Sequence, residues 1–331
     1  MKRRLGLFKD GRRILYCVHR YAPHPGGSEN YVRDLAEATS EVGHETWVFA
    51  GNPDATLNGV RVTHNPEIIF EKWDLIVVHG GDVGLQNFVL SQANKLQSPI
   101  LYLLILPSHS DTCVQALKDC HYLGCSTLAD WRHLDQYDMS AKGVQISHGI
   151  DLSHSGGMAD PSLLKSLELT TPYFFLSCGG YWPNKAMGDL VEVFTGLNRT
   201  DVTLVLTGYD NSQGLMPKES VRVKPLLIEE RQQVLNLMSM AQLLILHSTS
   251  EGFGLVLLES MWNRTPWVAR HLAGAEVLAK YGQTYQTNHD LATYLEQFTP
   301  LSKQHINDRQ DQVLNHYQIK HTVAQILEIV K

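Results

Sequence analysis

Two carboxylates, Glu251 and Glu259, stand eight residues apart around a Gly252-Phe253-Gly254 turn. The run before them, Ala241 to His247, is apolar and short enough for a buried strand, and Leu255 to Met261 continues as a helix that begins at the glycines. The motif therefore opens a strand-to-helix turn. Glycines at such a turn let a ligand approach the backbone closely, and the free amides of the helix start carry partial positive charge suited to a phosphate. A wholly helical path from Glu251 to Glu259 would rise about 12 Å. The two acids could then bracket a diphosphate, one gripping a sugar and the other a ribose. The plainer reading, an incidental charged pair, is disfavoured because acids beside a buried strand need a partner.

In open parallel sheets ligands bind beyond the carboxyl ends of the strands. Other candidate residues fall in such places: Gly26 and Gly27 after the first apolar run, His109 after the run Ile100 to Leu106, and Gly179 with Lys185 after another. Taken singly they read as a simple turn, a hydrogen-bonded loop histidine and a solvated lysine. A phosphate nearby would change the last reading, since a point charge at a helix start adds to the amide field. Gly252-Phe253-Gly254 with Glu276 downstream superficially suggests a dinucleotide fingerprint, but Leu257 stands where the third glycine should be. The chain has no Asp-x-Asp pair, so a metal-chelated diphosphate is not supported. Cys120-His121 with Cys125 lacks an evident fourth metal ligand.

The elements that must position these residues follow from patterning. Arg13 to Val18 reads as a buried strand, and a loop with Pro23, Pro25, Gly26 and Gly27 leads to a helix from about Ser28, a natural N-cap. Tyr31, Val32, Leu35, Ala36 and Val42 recur at helical spacing, Gly43 is a stop, and Thr46 to Ala50 returns as a strand. Short apolar runs at Asp74 to Val78 and Ile100 to Leu106 favour a parallel sheet with helices on both faces. The same grammar restarts at Pro172 to Cys178, with a helix from about Lys185 to Leu197 and strands at Val202 to Leu206, Arg222 to Lys224 and Leu243 to Leu246. Two Rossmann-like halves are expected.

The composition fits this. The chain has 331 residues, 43% of them hydrophobic, enough for two cores. A formal charge of −6 gives no global reason to expect nucleic acid. Lys2, Arg3, Arg4, Lys9, Arg12 and Arg13 form a local basic start, read either as solvated or as a patch for anionic lipid or an anionic acceptor. No apolar run is long enough to span a bilayer and no secretion signal is evident, so a cytoplasmic protein is expected, peripheral at the inner membrane face if the basic start is used. Five scattered cysteines, Cys17, Cys113, Cys120, Cys125 and Cys178, give no disulfide framework.

The segment Ser-x-Ser-Glu251-Gly252-Phe253-Gly254-x-x-x-x-Glu259, followed by Thr265-Pro266-Trp267-Val268-Ala269, resembles the E-x7-E signature of the family-4 retaining glycosyltransferases of GT-B fold. Pro25-Gly26-Gly27-Ser-Glu29, Gly43-His44-Glu45, His148-Gly149-Ile150-Asp151 and Gly179 with Lys185 extend the resemblance, in order, over nearly the whole chain. It implies an α/β GT-B fold, two Rossmann-like domains with parallel sheets facing a central cleft. Residues 1–150 would form the acceptor-side domain and 151–312 the nucleotide-sugar domain, with a terminal helix in 313–331 packing back on the first. By the same resemblance His109, Glu251 and Lys185 are catalytic, while Gly26, Gly27, Gly179, Gly252, Phe253, Gly254, Leu255 and Glu259 bind the donor. The expected reaction moves a hexosyl-type sugar from a UDP- or GDP-sugar to a glycan, lipid-linked glycan or small molecule, with retention and without metal or cofactor. Acceptor contacts are expected at Tyr21 to Pro25 and Val83 to Ser98. In the family an Arg follows the first glycine of the Lys185 loop, whereas here that residue is Gly180. Arg264 or Arg270 is expected to supply the missing charge for the diphosphate. Two alternatives stay open: a non-catalytic nucleotide-sugar or partner-binding protein, and an epimerase or phosphorylase of the same fold.

Overall fold

A computed structural model describes residues 11–80, 83–104, 114, 116–169, 171–299 and 303–331. The chain divides into two compact units, Met1–Gly149 with Ile319–Lys331, and Ile150–Gln318. Each is a sheet covered on both faces by helices, as runs such as Leu75–His79 and Val202–Gly208, buried at every residue, require.

The sheet of the first unit is built from β1 (Arg13–Cys17), β2 (Glu45–Phe49), β3 (Ala55–Leu57), β4 (Val60–Thr63), β5 (Leu75–His79), β6 (Ile100–Leu103), β7 (Tyr122–Cys125) and β8 (Gly143–Gln145). Their order is β3-β4-β2-β1-β5-β6-β7-β8, parallel except for the β3–β4 hairpin. Strand order reverses at β1 and β5, whose register pairs Leu15 with Ile76. The helix Gly27–Glu41 buries Tyr31, Val32, Leu35 and Ala36 on one stripe. It stops at Gly43, whose φ of 100° lets its amide turn back to the Ser40 carbonyl. Gly26 caps the start of this helix, and Ser28 lies inside it. The expectation of a Ser28 cap therefore gives way to a glycine start. The final helix, Ile319–Glu328, packs on Gly27–Glu41, and its Thr322 donates to the Ser147 carbonyl at 2.8 Å. It is separate from the helix Lys303–His316, which belongs to the second unit.

The second sheet is wholly parallel: β9 (Tyr173–Cys178), β10 (Val202–Gly208), β11 (Val223–Leu227), β12 (Leu243–Leu246), β13 (Trp267–Arg270) and β14 (Gln283–Tyr285), in the order β11-β10-β9-β12-β13-β14. Alternation sends Leu176, Leu244 and Trp267 into a core under the helices Arg231–Met240 and Leu255–Trp262, while Phe175, Ile245 and Val268 enter a second core under Met187–Thr195 and Asn288–Gln297. Here the reversal lies between β9 and β12, which pair directly. One helix read from Lys185 to Leu197 is instead two pieces. A 3-10 turn, Pro183–Lys185, and the helix Met187–Thr195 are separated by Ala186 at φ 48°.

Candidate active site

The reversal in the second sheet puts two loops side by side, one after β9 carrying Gly179 and Lys185 and one after β12 carrying Ser248 to Gly254. They are sewn together: the Thr249 amide donates to the Asn184 carbonyl at 2.7 Å, and the Asn184 side chain donates to the Ser250 carbonyl at 3.3 Å. Lys185 Nζ then makes a short hydrogen-bonded ion pair with Glu251 Oε1, and the Ser248 hydroxyl donates to the same oxygen at 2.6 Å. The lysine stem lies over Gly179, where a Cβ would stand 3.1 Å from Lys185 Cε. Lys185 and Glu251, 66 residues apart in the chain, are thus brought into one contact.

Phe253 is buried in the core beneath helices Arg231–Met240 and Leu255–Trp262 and anchors the turn. Gly254 caps the helix Leu255–Trp262 at φ 81° and ψ 60°, a conformation that a side chain would strain. The helix starts at Leu255, so its first amides and the positive end of its dipole face the Glu251 loop. Glu259 follows in the second turn and is held by Arg231, whose Nη2 and Nε donate to Oε1 at 2.6 and 3.2 Å. Arg231 Nη2 also donates to the Ser155 hydroxyl at 3.1 Å, and Asn263 donates to the Ser155 carbonyl at 2.7 Å. Both acids are mostly buried, with side chains 14% and 16% exposed, and each has its own cation. Cys178, at the end of β9, senses the group as a whole. Burial pushes its thiol up, as do Glu259 and Glu251, while Lys185 pulls the other way.

Arg231 was not singled out from the sequence. Its signal was weak, since Glu229-Glu230-Arg231 reads as an ordinary charged helix start, and only the crossover after β11 brings it to Glu259. The two arginines expected to supply charge lie elsewhere. Arg264 follows the far end of the helix that Gly254 begins, and its Nε donates to Gln310 at 2.9 Å. Arg270 falls by alternation on the opposite face of the sheet from that helix. There its Nη2 stands 3.1 Å from His247 Nε2 and 3.5 Å from Asp189. His247 is held at both ring nitrogens, by Tyr285 at 2.6 Å and Asp189 at 2.7 Å. Burial lowers its pKa, the hydrogen bond it donates to Asp189 opposes this, and Arg270 adds to the lowering.

In the first unit, Gly26 and Gly27 lead into a helix whose Glu29 is buried, 3% exposed. His19 Nε2 stands 3.0 Å from Glu29 Oε1, with Arg20 Nε and His24 Nδ1 each at 3.3 Å. Burial raises the Glu29 pKa, but the His19 hydrogen bond, a backbone bond and the charges of His19 and His24 outweigh it and hold the carboxyl below its usual range. Behind this group Tyr31 packs on His79 and His148, ring centroids 5.5 and 4.9 Å away, both histidines kept neutral by burial with pKa values of about 3 and about 4. His109 lies outside the described residues, as do Cys113 and the first four of the six basic N-terminal residues. The described pair, Arg12 and Arg13, is tied down: Arg12 to Asp74 at 3.5 Å, Arg13 to Glu45 and Glu71 at 3.1 and 2.9 Å. His44, from the Gly43-His44-Glu45 motif, accepts the Arg12 amide at 3.0 Å and is structural. Among the described residues no group of three or more His, Cys, Asp or Glu is placed to hold a metal ion, and no helix is long and apolar enough to cross a membrane.

Residues 162–313 match the family model for glycosyl transferases group 1. No curated protein sequence matches the chain. Solved structures share the fold at low identity. Sucrose-phosphate synthase from Thermosynechococcus elongatus has TM-score 0.77 at 17% identity, over 96% of this chain and 98% of its own. Anabaena HepE in complex with UDP-glucose has TM-score 0.76 at 19% identity, over 96% and 99%. A glycosyltransferase from Rickettsia africae ESF-5 has TM-score 0.74 at 16% identity, over 97% and 98%. Two parallel-sheet units of this topology, with the group 1 match falling on the second, make this a protein of GT-B fold.

Proposed function

We propose that the protein is a retaining, metal-independent glycosyltransferase that moves a hexosyl-type sugar from a nucleotide-diphosphate sugar to an acceptor. The observation that carries this reading is the joining of Lys185, Ser248 and Glu251 beside the Gly254 helix start. Bond cleavage at a nucleotide sugar leaves charge on the diphosphate, and preorganised cations and amides aimed at that charge lower the barrier. Lys185 and the amides of the Leu255 helix are suited to the leaving group, Glu251 to sugar hydroxyls and Glu259 to a ribose. Anabaena HepE, of like fold, holds UDP-glucose in its structure, which supports a UDP-sugar as the first donor to try. The acceptor is proposed as a glycan or lipid-linked glycan. No side chain in this group is required as a covalent nucleophile in this scheme. The protein supplies charge and positioning.

One observation favours a second reading, a nucleotide-sugar-binding protein without transfer activity. Lys185 and Arg231 are already matched one for one by Glu251 and Glu259, and Gly180 adds no further cation.

Nucleotide release from UDP-, GDP-, ADP- and dTDP-sugars in EDTA, with and without candidate acceptors, separates these. For the transferase, one donor is turned over, and Glu251→Ala loses about 100-fold or more of that turnover with little change in melting temperature. Tight binding without release in every mixture favours the second reading. Intact turnover in Glu251→Ala alongside a large loss of melting temperature would overturn the assigned site.

A further inference from the structure

Two ties join the same two stretches of chain. The first is the ion pair of Lys185 with Glu251. Four residues after Lys185 stands Asp189, four residues before Glu251 stands His247, and these two meet as well, with His247 Nε2 at 2.7 Å from Asp189 Oδ2. The second tie is the more enclosed. The His247 side chain is 0% exposed, and it continues the alternation of Leu243 and Ile245 into the core beneath the helices Met187–Thr195 and Asn288–Gln297. Asp189 lies in the first turn of the former helix, and its other carboxylate oxygen accepts from Asn288, the first residue of the latter, at 2.8 Å. Burial would raise the Asp189 pKa, but the bond and charge of His247, the Asn288 bond and the charge of Arg270 hold it below its usual range. An ionised Asp189 can only accept, so Nε2 carries the ring proton and Nδ1 accepts from the Tyr285 hydroxyl at 2.6 Å.

An apolar residue would fill this place without a desolvation cost, so the core itself does not call for a histidine. Hydrogen bonds at both ring nitrogens add direction: they permit one ring position, and with it one course for the main chain that runs on into Ser248. The need for this arises at the first tie. A diphosphate that draws Lys185 toward itself loosens the bond to Glu251, whereas the buried His247 ring lies out of a ligand's reach and keeps its partners. We infer that His247 is a positioning residue: held by Asp189 and Tyr285, it fixes the Ser248 to Gly254 loop against the Lys185 turn, so that Lys185 and Glu251 stay in register when the ion pair between them opens. It touches neither donor nor acceptor. The inference rests on the transferase reading above.

The test measures kcat and donor KM separately for nucleotide release from the UDP-, GDP-, ADP- and dTDP-sugars, using the full-length protein. Wild type, His247→Leu, His247→Gln and Asp189→Asn are compared, each checked for fold by circular dichroism and melting. His247→Leu, which loses both bonds, is expected to lower kcat about 10- to 100-fold with little change in KM, because a misplacement of about 1 Å in groups that act at bond cleavage is felt in the transition state. His247→Gln, whose amide can still donate to Asp189, recovers part of that factor. In a Lys185→Ala background His247→Leu should cost much less, since the group it positions is already gone. A fall in melting temperature with kcat unchanged would make His247 a packing residue, and an equal kcat factor in both backgrounds would mean that it does not act through Lys185; either result overturns the inference. Should His247→Leu not fold, an unchanged kcat in Asp189→Asn overturns it equally. Wild type that turns over no donor would bring down the transferase reading itself, and this inference with it.

Discussion

Each unit places a glycine loop before a helix at the carboxyl end of its sheet, yet Gly26 and Gly254 are glycine for different reasons. Gly26 has φ −70° and ψ 158°, a backbone open to any residue. What excludes a side chain is Glu29, whose Oε2 lies 2.0 Å from the position of a Cβ. Gly254 has φ 81°, so the backbone itself excludes one, and its neighbours are only moderately close, Leu246 Cδ2 at 3.0 Å. The first loop is therefore shaped by a buried carboxylate, the second by its own main chain. The same residue type before the same element reports electrostatics in one unit and steric geometry in the other.

Breaking the first loop should have the larger effect. The Glu29 carboxylate is the end of a flexible side chain and could swing away from a new methyl, but doing so strips His19, Arg20 and His24 of a buried partner. Gly26→Ala is expected to cost about 3 kcal/mol in urea unfolding. That cost should largely vanish in a Glu29→Ala background, where the cluster is already gone. Equal costs in both backgrounds would show that Gly26 is shaped by something other than Glu29.

No partner substitution should relieve Gly254→Ala. It is expected to cost about 1 to 2 kcal/mol, with Gly254→Asn costing less because Asn tolerates the left-handed region better. An equal loss for Asn and Ala would point instead to the contact with Leu246.

The smallest expected effect is on pH dependence, and it concerns the first unit. His79 and His148 are neutral until about pH 3 and about pH 4 when folded, whereas unfolded histidines take a proton near pH 6.5. Between those values the unfolded state binds more protons, so stability is full above pH 6.5 and is lost as pH falls. From pH 7.5 to 6 each histidine should withdraw about 0.8 kcal/mol, measured by urea titration across that range. His79→Leu should remove its share of the slope, and an unchanged slope would mean that His79 binds its proton in the folded protein as readily as in the unfolded chain.

Much of the frame was legible from residue pattern. The strands at Arg13–Cys17, Tyr173–Cys178 and Leu243–Leu246 appear where short apolar runs placed them, because strands buried on both faces are apolar in their interior. The turn at Gly252 to Gly254 and the helix after it were equally visible, since a left-handed cap before an apolar helical run leaves a local mark. Boundaries at Ser28 and Lys185 were less so. Gly26 begins a helix without a side-chain cap, and Ala186 interrupts one at positive φ, neither of which composition signals.

The partners of the charges belong to another level. Glu251 and Glu259 were recognisable as acids in need of partners from nine residues of chain, because a short motif encodes its own spacing. Which cations answer them depends on strand order. Lys185 reaches Glu251 because β9 lies beside β12, and Arg231 reaches Glu259 because the helix after β11 crosses back onto the helix after β12. Arg264 and Arg270, nearer in sequence, are carried away by the far end of a helix and the opposite face of a sheet. Apolar periodicity and turn residues act over a few neighbouring positions, and so the sequence alone determined most of the elements and the acidic motif. Pairing across 66 or 28 residues is set by topology, and so only the tertiary structure decided how the site is charged.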